Sequence, residues 1–189
     1  PQIPLYVVVD DFCKEQLRAE PQIQPMPSLA RSEVVTLALF GQWNHFPSER
    51  AFCRYADHHL RNAFPRLPDR SQLNRLIRRH LDALTAFFLQ SVQLLRAQHC
   101  LFEALDSSAV PTRDAKRRGS GWWLASILQI VETVNAKLHE TFRLQRERPH
   151  DWTGLHARLT AKVALHNFCI GLNQQLGRAN LAFADLIDW

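Results

Sequence analysis

A chain of 189 residues, 46% hydrophobic and 22% charged, can bury a sizeable core as one compact domain or as a small domain with a helical appendage. No apolar run approaches membrane-spanning length and no signal peptide is evident, so a cytoplasmic setting without membrane partners is expected. The formal net charge is +5, and the bases are overwhelmingly arginine, with only Lys14, Lys116, Lys137 and Lys162 as lysines. The planar guanidinium fits phosphate and leans mildly toward nucleic acid, while a GC-rich genome explains the same arginine excess equally well. Cys13, Cys53, Cys100 and Cys169 form no CxxC pair and read as reduced thiols. The chain opens on Pro1 rather than Met, so its natural start is expected to lie upstream.

Leu5 to Leu17 reads as a helix with an apolar start, closed by Pro21, Pro25 and Pro27. A second helix is expected to reach Phe40 from a serine cap at Ser28 or Ser32. Val34, Val35, Leu37, Ala38 and Leu39 cover most of its circumference, which predicts burial. Gly41 and Pro47 bound it. Ser48-Glu49 opens a third helix, with Ala51, Phe52, Tyr55, Ala56 and Leu60 at helical spacing and Pro65 and Pro68 beyond its end. Asp69, with Gln72 three residues on, resembles a capping box. Apolar residues from Leu73 to Leu95 then recur every three or four positions, which predicts one long helix to about His99.

The first turns of that helix carry Arg70, Arg75, Arg78 and Arg79 away from the apolar stripe, with Arg61 and Arg66 upstream. A short helix, a proline-containing turn and a basic second helix can present side chains to DNA phosphates, although a solvated helix face has the same pattern. The turn is longer than that of a helix-turn-helix, so the reading is a DNA-contacting helical region without that motif.

Leu101 to Asp106 is short, apolar and ends on a carboxylate followed by Ser107-Ser108 and Pro111, the shape of a buried strand that delivers an aspartate. A basic loop follows, with Arg113, Lys116, Arg117, Arg118 and a Gly-Ser-Gly run, and then Trp122-Trp123. Ile127, Leu128, Val131, Val134, Leu138 and Phe142 mark the next helix. Glu132 lies about 100° from Val131 around the axis, on the flank of the stripe. Arg143, Arg146 and Arg148 form a second basic patch. Asp151 or Thr153 caps a last long helix that Gly177 stops, and the apolar tail from Leu181 is expected to pack back.

Phe102-Glu103-Ala104-Leu105-Asp106-Ser107-Ser108 resembles the first catalytic strand of bacterial insertion-sequence transposases of the DDE type. Ile130-Val131-Glu132-Thr133-Val134, with Leu138 and Phe142, resembles their glutamate-bearing helix, and Gly154-Leu155 through Leu176-Gly177 the helix that closes such proteins. The helical N-terminal arm is similar as well. The resemblance implies a ribonuclease H-like fold in which two Asp and one Glu hold two Mg²⁺ ions for in-line phosphoryl transfer. Asp106 then carries over as the first ligand and Glu132 as the last. The partners it implies are transposon ends and target DNA, with homo-oligomers also admitted. Arg70, Arg75, Arg78, Arg79, Arg113, Lys116, Arg117, Arg118, Arg143 and Arg146 are the candidate DNA contacts.

Only 25 residues separate Asp106 from Glu132, whereas the missing strands, helix and turns need on the order of 45. Asp114 is the sole acid between the two and lies in the loop. The expectation is therefore a mainly α chain. Residues 1–99 form a helical DNA-binding region, and residues 100–189 a reduced ribonuclease H-like α/β remnant with one or two strands on helices. The chain reads as an internally truncated transposase, cytoplasmic and nucleoid-associated, inactive alone. The alternative is a non-catalytic helical DNA-binding protein or transposition inhibitor.

Overall fold

The computed structural model describes residues 2–17, 28–43, 46–95, 132–144, 151–183 and 186, and among these the chain is helical, with no strand. The helices are α1 (Gln2–Gln16), α2 (Arg31–Phe40), α3 (Glu49–His59), α4 (Arg70–Arg79), α5 (Leu81–Leu95), α6 (residues 132–140) and α7 (Trp152–Gln175). The expected strand at 101–108 with Asp106, the basic loop with Arg113, Asp114, Lys116, Arg117 and Arg118, the Trp122-Trp123 pair, and Arg146 lie outside the described residues.

The centre of the bundle is α2. Every residue from Val34 to Phe40 is buried, as its all-round apolar sequence requires, and α1, α4, α5 and α7 surround it. Helix α1 lays Leu5, Val9 and Phe12 against it, three residues at i, i+4 and i+7. Asp10 ties the two helices: Lys14 one turn on and the hydroxyl of Ser32 hold its carboxyl below the usual range. That use of Ser32 corrects the expected serine cap, because Ala30 occupies the cap of α2 instead. Ala30 has no side-chain acceptor, and stabilisation comes from the other direction, as its N–H donates to Glu33 Oε2 at 2.6 Å.

Gly41 ends α2 with ordinary right-handed torsions, so positive φ is not what selects glycine there. A Cβ at Gly41 would meet the Phe52 ring at 3.0 Å. Phe52 belongs to an aromatic cluster with Phe40, Phe46 and Tyr55, whose ring centroids lie 5.1–6.2 Å apart in tilted or edge-on pairs. The cluster fixes the route from α2 into α3.

The single helix expected from Asp69 to His99 is two. Asp69 caps α4 through Ser71 N and Gln72 N, but α4 ends at Arg79 and α5 starts at Leu81, with His80 buried at the junction. The apolar stripe Leu73, Leu76, Ile77, Leu84, Phe87 keeps its phase through the break, so periodicity alone does not register it. Both halves pack on α2 and α7, but α4 also packs on α3, while α5 runs mainly along α7 and reaches α1.

Helix α7 is capped by Asp151, whose Oδ1 accepts from Gly154 N at 2.5 Å. It stops in a Schellman arrangement: Arg178 N donates to Asn173 O and Gly177 N to Gln174 O, with Gly177 at φ +65°. The chain then folds back as expected, and Phe183 and Leu186 are buried. Asn173, fully buried, donates from Nδ2 to the carbonyls of Asn180 and Ala182. Phe183, Phe142 and His166 meet edge-on at 5.3–6.0 Å. Residues from both sides of position 100 contribute to one core, since Leu5, Val35, Leu84 and Phe87 join Phe142, Leu165 and Phe183 in it. Cys13, Cys53 and Cys169 are free thiols, and burial pushes Cys169 up to about 12. No helix among the described residues is long and apolar enough to cross a membrane.

Replacing Asn173 with Ala removes both donors and strands two carbonyls at the edge of the core. It is expected to cost about 2–3 kcal/mol in urea denaturation, with earlier proteolysis of the tail beyond Gly177. Burial lowers the pKa of His166, a shift that the Asn167 side chain only partly opposes. The unfolded state therefore binds the proton more readily, so the His166 contribution is fully present above about pH 6.5 and is lost as pH falls toward the lower folded value. The melting temperature should drop on acidification below 6.5, and His166→Phe should flatten that part of the profile.

Candidate nucleic-acid interface

Ser48 starts α3 by accepting Ala51 N at 3.2 Å, which places Glu49 in the first turn, where the helix dipole favours a carboxylate. Glu49 is only a third exposed and serves three helices at once. Its Oε1 accepts from Arg158 Nη2 of α7, and its Oε2 accepts from Asn74 Nδ2 of α4 at 3.0 Å, with Arg70 Nη1 at 3.8 Å. One carboxylate thus gathers two guanidiniums from different helices.

The ends of α4 and α7 are joined by a second acid. Asp151 Oδ2 lies 3.1 Å from Arg78 Nη1 while Oδ1 caps α7. The approach requires Gly154, since a Cβ there would stand 3.1 Å from Asp151 Oδ1. Of the four arginines read as DNA contacts on α4, Arg70 and Arg78 therefore brace the bundle, although both side chains are still nearly half exposed. Arg75 and Arg79 are exposed one turn apart, on the side of α4 away from buried Leu73.

A larger basic surface went unread in the sequence. Between the α2–α3 connection, the start of α3, residues 142–143 and α7 lies an open cleft of about 540 Å³. Among the described residues Arg50, Arg70, Arg143, Arg158 and Lys162 line it together with Glu49, and Trp43 and Phe46 form part of its wall. A shallower groove continues past Arg50 and Arg70 to Arg54 and Arg61, where Asp57 pairs with Arg61. Lys162 is 3% exposed, and its ammonium donates to Phe142 O. Arg143 sits at φ +51°, a left-handed conformation unusual for a residue with a Cβ. Its neighbour Phe142 is fully buried and carries the carbonyl that Lys162 holds, so the backbone has no freedom to relax.

Of the expected metal ligands, Glu132 is exposed in the first described turn of α6, while Val134 and Leu138 are half-buried below it. Asp106 lies outside the described residues. Among the described residues, no three or more His, Cys, Asp and Glu side chains gather where they could hold a metal ion. The chain matches no family model, no curated protein and no solved structure.

Arg50, Arg54, Arg158 and Lys162 were missed because helices far apart in sequence bring them together; Glu49 and Arg158 are 109 positions apart. The one local signal was Lys162, a lysine inside the apolar run of α7. Glu49→Gln should lower stability by about 1 kcal/mol in urea, as expected for a partly exposed cluster. A double-mutant cycle with Arg158→Gln should show that the two losses are not additive.

Proposed function

We propose that this chain is a DNA-binding protein derived from the DDE transposases, engaging DNA phosphates through α4 and lacking strand cleavage of its own. The observation that carries the binding reading is the pair Arg75 and Arg79. They stand in solvent on a helix whose two ends are fixed by Arg70–Glu49 and Arg78–Asp151. Guanidiniums on a braced helix lose less conformational freedom on meeting a phosphate than guanidiniums on a loose loop. Arg70 and Arg78 keep unused donors beside them, and the net charge of +5 draws a polyanion toward the surface.

The transposase ancestry rests on the resemblance of residues 102–108, 130–142 and 154–177, with a reduced ribonuclease H-like remnant around Asp106 and Glu132. Mg²⁺ in that family polarises phosphate and activates the attacking oxygen. Hard divalent ions need several oxygen ligands, and between Asp106 and Glu132 the sequence offers no second strand aspartate, only Asp114 in the basic loop, which supports a chain without a two-ion centre. Mg²⁺-dependent nicking of a duplex carrying a terminal inverted repeat is accordingly expected to be absent. Cleavage by the chain alone would overturn the non-catalytic reading.

Fluorescence anisotropy with a short duplex, titrated across salt, tests the binding face. Arg75→Gln with Arg79→Gln should weaken binding for all sequences alike and reduce the slope of log affinity against log salt by about two. An unchanged slope would remove α4 from the interface.

A further inference from the structure

We propose that the cavity between α1, α2 and the turn after α3 binds a small, mainly apolar molecule that carries one hydrogen-bonding group, recognised by Thr36. The site goes beyond the reading of α4 as a DNA-binding face and does not require it. The cavity measures about 230 Å³. Leu5 of α1, Leu37 and Phe40 of α2, and Leu60 and Phe64 of the turn wall it, and all of them are buried. The turn is pinned where it closes one side, since Ala63 N and Phe64 N both donate to Leu60 O. Tyr6, half-buried and edge-on to Phe64 at 6.2 Å, and exposed Ala63 are the least buried lining residues and mark the mouth. An apolar cavity of roughly 150 Å³ accommodates benzene, so this one admits about nine or ten non-hydrogen atoms, the size of a small bicyclic ring.

Thr36 is the residue that points to a ligand. It is the one hydroxyl-bearing residue in the buried run from Val34 to Phe40, it lines the cavity, and it is 4% exposed. A threonine inside a helix often turns its hydroxyl back to the carbonyl one turn earlier. Here Oγ1 makes no such bond and meets no other partner among the described residues. A buried hydroxyl left unpaired is costly, and valine would fill nearly the same space without that cost. A ligand group that reaches Oγ1 removes the cost when the cavity is filled. Water serves poorly there: apart from Thr36 and Tyr6 the lining side chains are apolar, and a held water needs roughly two to four polar partners. No charged side chain lines the cavity among the described residues, which turns away ionised ligands. A hydroxyl both donates and accepts, so the matching group is an N–H, an O–H or a carbonyl on an otherwise apolar body.

The test titrates the full chain with indole and with indene, read by calorimetry and thermal shift. The two bicycles have nearly the same shape, and only indole has an N–H to donate to Thr36 Oγ1. The wild type should bind indole about tenfold more tightly than indene, the worth of one buried hydrogen bond. Thr36→Val should bind both as the wild type binds indene, while its own melting temperature without ligand equals or exceeds that of the wild type. Ala63→Leu sets a larger side chain at the mouth from an exposed position, so it should stay helical by circular dichroism and bind neither bicycle. Absence of both heat and thermal shift with indole in the wild type would overturn the proposal. So would equal affinity for indole in wild type and Thr36→Val, or in wild type and Ala63→Leu. A lower melting temperature in Thr36→Val would overturn it as well, because the hydroxyl would then already have a partner. Duplex binding by α4 is read separately by anisotropy, so either reading can fail with the other intact.

Discussion

The carboxylate of Glu49 is the interaction on which the basic side of this protein depends. An apolar bundle alone would fix the helix axes and leave the long arginines of α4 and α7 to solvent. Glu49, set at the start of α3 by the Ser48 cap, takes Arg158, Asn74 and Arg70 at one point and turns three helix surfaces into the wall of one cleft. Its net contribution to stability is modest, because the groups are about a third to half exposed and water competes for each. Its larger consequence is positional: two guanidiniums from α4 and α7 that would otherwise sample many rotamers meet at one carboxylate.

The division of labour along α4 follows from helix geometry. Arg70 and Arg75 are about 140° apart around the axis, whereas Arg75 and Arg79 are about 40° apart. Arg70 consequently reaches the cleft, while Arg75 and Arg79 share the outer side. Arg78, between the two, is taken by Asp151 at the start of α7. The helix is a partition with a concave basic surface on one side and a convex one on the other. Its amphipathic inner stripe, through Leu73, anchors it to the core.

Much of this architecture was legible from local rules. Leu5, Val9 and Phe12 announce α1, the run from Val34 to Phe40 announces a buried α2, and Ser48, Asp69, Asp151 and Gly177 mark helix ends where the structure has them. The failures each have a physical cause. Ser28 or Ser32 was expected to cap α2, but Ala30 holds that position and Ser32 bonds Asp10, a partner from another helix that no local rule sees. The break at His80 carries no proline or glycine and preserves the apolar phase, so no local rule registers it. The cleft escaped because its members look like ordinary exposed arginines when each helix is read alone. Of the expected DNA contacts, Arg70 and Arg143 reach it, while Arg75 and Arg79 stand elsewhere.

A compositional origin for the arginines explains only part of this arrangement. A genome-wide bias enriches a residue where almost any residue is tolerated, at exposed positions such as Arg54 on α3 or Arg66 in the turn after it. It gives no reason for an ammonium to be 3% exposed in the middle of α7, nor for a β-carbon-bearing residue to hold a left-handed turn beside it. Burying Lys162 costs desolvation that the Phe142 carbonyl offsets, and the same bond holds the backbone that places Arg143 at the cleft. Lys162, Phe142 and Arg143 therefore form one linked unit in which a buried charge positions a half-buried one. Solvated surface bases carry no such linkage. The linkage of Lys162 to Arg143 is thus a property of the fold, and the arginines scattered over the outer helix faces are the part that composition alone accounts for.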